Sequence, residues 1–468
     1  MDWDEQADII VIGSGAAGLS AAVEASKTSC SVIVFEKMKL TGGNTRISDG
    51  SLCAPGNFLQ KKLGVSDSRE LFIKDITQAG LGLNHPQLVK TFAEKAAEAV
   101  EWTRDELGVK YMDRLDKFGG HSAARGVTTR SHSGVDLIKG LSVRLKQLGV
   151  AIRTQSTLTR LITDTGGSVC GVTIKTGEKS SGDAEKKIRN IKANRAVVLA
   201  AGGFGNDVEF RLLQNPLLDE SIGSTNHQGA DAGGLITALK IQAVPIHFSW
   251  IQLAPWGCVD EKGYGLGGRF ASYSVYPCGV LIDPVTGKRI VNEWGDRKQR
   301  SDAIIGAGHF CIGIVDAKGA EMDSDSLEKC IKNGKVKGFE TMEDLAGEYE
   351  MPPAQLSATI NAYNQMVQNG IRDEFGKQLG QNAQRLEHPP YYAIRLWPKV
   401  HYTPGGVGIT PKTQVINLNN SLIPRLYAAG EVCGGIHGAS RLGGNALTEC
   451  IVFGRIAGIE AASMPPRE

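Results

Sequence analysis

The run Gly13-Ser14-Gly15-Ala16-Ala17-Gly18 is the feature that most narrows what this chain can fold into. Asp8–Ile12 precedes it as an apolar stretch, Ala16–Ala25 continues at helical spacing, and Ser31–Phe35 is a second apolar stretch closed by Glu36. Strand, helix and strand in that order imply a parallel sheet. The first glycine allows the tight turn, the second lets the backbone approach a pyrophosphate, and the third lets helix and strand pack closely. Free N–H groups and the dipole at the helix N-terminus favour that anion. Glu36 is placed to accept hydrogen bonds from ribose hydroxyls.

A chain of 468 residues exceeds what one hydrophobic core usually organises, so two or three domains are expected. Leu88, Val89, Phe92, Ala96, Val100, Thr103 and Leu107 recur at helical period and stop near Gly108. A helix over Val135–Leu148 and strands over Val150–Thr154 and Ala196–Ala201 follow. The texture then changes: Trp250, Trp256, Tyr264, Phe270, Tyr273, Tyr276 and Trp294 crowd together in a chain with only 6% aromatics. Pro353–Val367 reads as a helix with Gly370 as its C-cap, and Lys377–Glu387 as a polar loop. From Val400 the glycine-rich pattern resumes, with a strand at Leu426–Ala429. The fold class expected is α/β. A doubly wound Rossmann-type domain over residues 1–248 and 401–468 is interrupted by an α+β capping domain at 249–400.

Charge and cysteine usage exclude several functions. A net charge of +2 gives no support for nucleic-acid or membrane-surface binding. The nine cysteines contain no C-x-x-C, which leaves iron–sulfur clusters, covalent haem and zinc ribbons, or any other metal, unsupported. Free thiols, an acidic start running straight into a strand, and the lack of any ~20-residue apolar span point to a cytoplasmic protein.

The glycine motif alone does not separate FAD from NAD. Thr41-Gly42-Gly43-Asn44, Ala200-Ala201-Gly202-Gly203 and Ala428-Ala429-Gly430-Glu431 favour FAD. With His401-Tyr402-Thr403-Pro404-Gly405-Gly406-Val407 and the run from His437 to Leu447, the chain resembles the fumarate reductase and succinate dehydrogenase flavoprotein family over essentially its whole length. Within it the chain resembles the soluble single-subunit branch, either flavocytochrome-c-like fumarate reductases or urocanate and acrylate reductases. The resemblance implies FAD held by Gly13, Gly15, Ala16, Ala17, Gly18, Glu36, Lys37, Gly42, Gly43, Asn44, Thr45, Ala201, Gly202, Asp231, Gly430, Glu431, Arg441, Asn445, Ala446 and Leu447. Asn44 stands where covalent members carry a flavin-linking histidine, so attachment is expected to be non-covalent.

The resemblance also implies roles at the substrate. Arg441 matches an arginine that clamps a carboxylate, a task suited to a planar guanidinium fork. His401 matches a histidine on the same carboxylate, and Arg297 the proton-donating arginine. Taken without the resemblance, Arg297 among Arg289, Lys298 and Arg300 is open to reading as a surface cation, and His401 as a structural histidine. His437 and Asn445 are expected to shape the loop or reach flavin, and Cys433 and Cys450 to be small buried apolar residues.

Departures from the pattern are equally informative. In Ile251–Trp256, Ala254 stands where the family holds the second carboxylate with a histidine, and a methyl group cannot bind that charge. Ser272-Tyr273 and Tyr276 occupy the positions of a threonine-glutamate pair and a following arginine. The substrate expected is a small unsaturated carboxylate with one acid group and an apolar, even aromatic, far end. Trp250, Trp256, Tyr273 and Tyr276 are its candidate walls or, equally, core residues of the inserted domain; Tyr276 could also pass protons to Arg297. The reaction implied is hydride transfer from flavin N5 to one alkene carbon with protonation of the other by Arg297, fed by an external electron donor, either a protein or a reduced flavin. Two alternatives stay open: a ketosteroid-type desaturase using Tyr273, Tyr276 or Tyr402, and a non-catalytic flavin-binding electron carrier.

Overall fold

The computed structural model describes residues 2–177, 187–370, 373–377 and 384–467. It divides into two compact units. The first takes residues 1–219, 227–251 and 402–468; the second takes 220–226 and 252–401. The sequence reading put the cuts at 248/249 and 400/401, and had no signal for the short excursion 220–226.

In the first unit β1 (Glu5–Ile12), α1 (Ala16–Ala25) and β2 (Val32–Phe35) form the expected strand–helix–strand. β3 (Ala151–Arg153), β4 (Lys187–Leu199) and β5 (Leu422–Ala428) complete a parallel core in the order β5-β4-β1-β2-β3. The strand order reverses at β1, and the crevice beyond the carboxyl ends of such strands is where open α/β sheets take ligands. Ile9 to Ile12 are all buried, and β2 is buried throughout. Both faces of these strands are therefore covered, as an apolar run without alternation requires. Two antiparallel strands, Ser156–Thr163 and Val169–Thr176, were not read from the sequence. They alternate buried and exposed residues only imperfectly, which weakens the period-2 signal.

The last helix, α2 (Asn445–Ser463), returns the chain to its beginning. Every residue of α1 is buried. A Cβ on Gly454 would stand 2.4 Å from the Ala17 carbonyl oxygen, and one on Gly458 2.2 Å from that of Ala21. Glycines one turn apart thus let α2 lie against the α1 backbone, and the two ends of the sequence build one nucleotide-binding layer.

The second unit is a five-stranded antiparallel sheet in the order Lys288–Arg289, Val280–Asp283, Cys311–Val315, Tyr391–Leu396, Val336–Phe339. Alternation divides its side chains between two cores. Val280 and Ile282 join Leu356, Ile360 and Tyr363 of helix Pro353–Asn369 on one face, whereas Leu281 joins Phe270, Val275 and Tyr276 on the other. Gly370 caps that helix in the left-handed region at φ 63. Of the polar stretch Lys377–Glu387, residues 378–383 lie outside the described ones. Among the described residues no helix is long and apolar enough to cross a membrane, and no cluster of His, Cys, Asp and Glu could hold a metal ion.

Candidate functional site

The glycine turn separates space that packing needs from space left for a ligand. A Cβ on Gly13 would meet the Ala200 carbonyl oxygen at 2.2 Å, and one on Gly18 the Gly13 carbonyl oxygen at 2.0 Å. At Gly15 the nearest atom is Thr45 Oγ1 at 3.8 Å, so protein packing does not demand glycine there. Backbone approach by a ligand does. Thr45 Oγ1 accepts from Ala16 N at 3.1 Å, and Ser14 Oγ accepts from Gly42 N at 3.1 Å, which ties the 42–45 segment to the turn.

Glu36 is buried and already engaged. Its Oε2 accepts from Ser14 N at 3.0 Å and from Ser14 Oγ, and its Oε1 accepts from Met38 N at 2.8 Å. Lys37 pairs with Asp231 at 2.8 Å, bringing together two residues that the sequence separates widely. Asn44 Oδ1 accepts from His227 N at 3.0 Å, and burial lowers the His227 pKa. Gly43, in the left-handed region, leaves its Cβ direction 3.3 Å from the His227 ring. His227 was missed in the sequence because no spacing connects it to the 42–45 segment.

The loop over residues 429–444 is buried except for the half-buried Gly444, and it is rich in polar groups. Glu431 Oε1 accepts from Thr403 N at 2.9 Å, and burial raises the pKa of its carboxyl. The guanidinium of Arg441 lies 4.5 Å over the Tyr402 ring and donates to the Leu442 carbonyl at 3.2 Å. Burial lowers its pKa, but arginine begins so high that it remains a cation. His437 and Tyr402 converge on Glu449, whose Oε2 accepts from the Tyr402 hydroxyl at 3.4 Å and lies 3.9 Å from His437 Nε2. Burial, and next the Glu431 charge, push the Glu449 carboxyl up to about 8. Cys433 is buried as expected and Cys450 is half-buried.

Asn445 opens α2 with its side chain 0% exposed, yet neither its amide nitrogen nor its amide oxygen has a hydrogen-bond partner. A buried amide left in that state costs roughly 1–3 kcal/mol, a cost that a polar ligand edge at this place would relieve. Together with Ala446, Leu447 and the free N–H groups of the first turn, it forms the end of α2 that a polar ring edge would contact.

Comparison with known proteins identifies the group. The FAD binding domain family model matches residues 8–447. The chain belongs to this family. It is 36% identical to the acrylate reductase flavoprotein subunit of Shewanella woodyi, over 97% of this chain and 91% of that protein. It is 32% identical to the urocanate reductase of Eggerthella lenta, over 98% and 75%. Among solved structures, the open conformation of a flavocytochrome c3 fumarate reductase matches with a TM-score of 0.77 at 32% identity, covering 98% of this chain and 78% of that one. The protein is thus an FAD-dependent oxidoreductase of the fumarate reductase flavoprotein family. Gly15, where packing leaves a Cβ only ordinary contacts, and Asn445, with an unmet amide, fit such a cofactor.

The second unit gathers a different set. Arg297 is the first residue of helix Arg297–Ala307, whose N-cap Asp296 accepts from Lys298 N at 2.8 Å and Gln299 N at 3.2 Å. Arg297 Nη1 donates to Gln252 Oε1 at 3.2 Å, and its guanidinium lies 4.5 Å over the Trp256 ring. The ring of His401 stands edge-on to the same tryptophan at 5.4 Å, and Thr225 Oγ1 meets its Nδ1 at 2.7 Å. Thr225 explains why 220–226 belongs here, since its N–H also bonds the Val400 carbonyl at 2.8 Å. Arg297 and His401 thus meet at Trp256, one held by Gln252 and the other by Thr225, and the sequence had pointed to neither of these two holders.

The candidate aromatic walls fall in different surroundings. The sequence leaves Tyr276 as a substrate wall or, equally, a core residue of the inserted domain, with proton transfer to Arg297 also open. It is 1% exposed and its hydroxyl donates to the Pro255 carbonyl at 2.9 Å, as a core residue would be. The cation over its ring is Arg300, at 4.4 Å, and Arg300 is itself buried rather than a surface charge. Trp250 belongs to the first unit and not to the one holding Trp256. Tyr273 is half-buried, in a π-helical turn at Ala271–Val275, with Arg269 5.9 Å over its ring.

Proposed function

We propose that this protein reduces the C=C bond of an α,β-unsaturated monocarboxylate whose far end is apolar or aromatic. The observation that carries this reading is the surroundings of Arg297: Trp256 beside it, and a wholly buried Ala254 in the same strand–turn segment. A second carboxylate placed against Ala254 would meet a methyl group instead of a hydrogen-bond partner, and an unpaired buried charge costs several kcal/mol. Relatives named for acrylate and urocanate, both unsaturated monocarboxylic acids, agree with it.

Bound FAD supplies the hydride. Arg441 anchors the single carboxylate through its guanidinium, and Thr225 fixes the orientation of the His401 ring through Nδ1. Arg297 delivers a proton to the alkene carbon that does not receive the hydride, and Gln252 fixes the Nη1 edge of the fork for that transfer. The donor arginine is reset by a proton from solvent, and the electrons come from a donor outside this chain. The tyrosine-based desaturase reading has less support. Tyr276 spends its hydroxyl on a backbone carbonyl, and burial raises the pKa of both Tyr276 and Tyr402 away from acid–base use.

Photoreduced enzyme mixed with cinnamate-like acids is expected to reoxidise at least tenfold faster than with fumarate. Faster reoxidation by fumarate would sink the reading. FAD is held without a covalent bond, Asn44 offering only an amide where a linking histidine would be needed. Acid precipitation should leave all the flavin in the supernatant, and a yellow pellet would refute it.

A further inference from the structure

The loop that carries Arg441 and Asn445 is fastened from a distance. His121 is buried, and its Nε2 lies 2.9 Å from the carbonyl oxygen of Gly443, 322 residues away. Its Nδ1 lies 3.1 Å from Nη1 of Arg125. Arginine has donors only, so Nδ1 must accept, and the ring proton must sit on Nε2 and point at the Gly443 carbonyl. Arg125 is 0% exposed and is held in turn by two carboxylates. Its Nε and Nη2 donate to Asp67 at 2.8 Å each, and its Nη1 donates to Asp75 at 2.6 Å. Asp75 also accepts from the backbone N–H of Ser122 at 2.9 Å, which secures the segment bearing His121.

We propose that His121 is a positioning residue: it locks the backbone between Arg441 and Asn445 to a buried Arg125–Asp67–Asp75 cluster, so that Arg441 meets the substrate carboxylate already oriented. Nothing in the reaction needs His121 to touch substrate or flavin. Its chemistry is a fixed tautomer, imposed on one side by a group that cannot accept and read out on the other by a group that cannot donate. Burial, and next the Arg125 charge, hold the imidazole pKa down to about 4, so the neutral ring persists through the working range. Other side chains also reach this loop: Asn84 Nδ2 donates to the Ile436 carbonyl at 2.9 Å, and Thr448 Oγ1 donates to the Gly444 carbonyl at 3.3 Å. A Cβ on Gly443 would stand 2.7 Å from Phe118 Cβ, and Cys53 N bonds the Gly444 carbonyl at 3.2 Å. The Gly443 carbonyl is the point at which the Arg125–Asp67–Asp75 cluster acts on the loop through His121, two residues from Arg441. Pre-ordering of this kind raises affinity by removing the ordering cost from the binding step.

The proposal rests on the reading of Arg441 as the carboxylate anchor, and its test separates the two. A saturated arylpropanoate cannot be reduced, and its binding to the FAD-loaded enzyme is followed by the flavin difference spectrum. His121→Leu, which fills the space without hydrogen bonds, should weaken that binding about tenfold. His121→Asn, too short to span both partners, should do the same. His121→Gln places an amide N–H and a carbonyl oxygen about as far apart as the two ring nitrogens, and should stay within about threefold of wild type. Asn against Gln decides the matter if the leucine variant does not fold. Equal binding by all three variants overturns the proposal, as does equal weakening by all three, since both outcomes deny a role to the paired hydrogen bonds. Arg441→Met run alongside tests the underlying reading: if it leaves binding unchanged, the anchor assignment falls and the proposal with it. If it weakens binding while the His121 variants do not, only the His121 proposal falls.

Discussion

Arg297→Ala is expected to lower the rate of substrate reduction by roughly 10³-fold, within the range of general acid contributions, while the flavin spectrum and FAD content stay as in wild type. The expectation follows from how the side chain is held. An arginine at the first turn of a helix faces the positive end of the dipole, an unfavourable place for a cation. The Trp256 face at 4.5 Å offsets this, and Gln252 takes the Nη1 proton edge. A side chain held by two neighbours against an unfavourable field is fixed for a task rather than left to solvent. Lysine at the position keeps a charge but loses the fork that spans tryptophan and glutamine, so Arg297→Lys should recover little. Stopped-flow reoxidation of the photoreduced enzyme measures the step directly. A loss below about tenfold for the alanine variant would remove Arg297 from proton delivery.

Arg441→Met should raise the dissociation constant for an unsaturated acid by about 10²-fold or more. Removing one partner of a buried ion pair costs roughly 3–5 kcal/mol, and 1.4 kcal/mol is a factor of ten. Methionine keeps much of the volume and the contact with the Tyr402 ring, so the change isolates the charge. The diagnostic comparison is with the methyl ester of the same acid. Wild type should prefer the acid, and the variant should bind acid and ester about equally weakly. An unchanged preference for the acid would mean that another group holds the carboxylate.

The cofactor half of the protein was largely legible in the sequence because its determinants are local. Gly13, Gly15 and Gly18 lie within one turn between two apolar runs, and each run is long enough to declare a buried strand. Asn445 and Arg441 could be named from their neighbours alone. The walls of the substrate site were less legible. An aromatic side chain buries a core as readily as it lines a pocket, and Tyr276 and Trp256 look alike in sequence. Arg300 lies over both rings, and the other partners part them: Tyr276 spends its hydroxyl on a backbone carbonyl, whereas Trp256 also meets Arg297 and His401.

By itself the sequence determined the parallel nucleotide-binding layer, the family and the residue types able to hold a carboxylate and move a proton, since these depend on short spacings and side-chain chemistry. The tertiary structure decided which of those residues are held and by what. Thr225 orients His401, Gln252 orients Arg297, and His121 reaches Gly443 across most of the chain. Such pairings arise when elements far apart in sequence pack together and their buried polar groups must find partners, and no local pattern records that requirement.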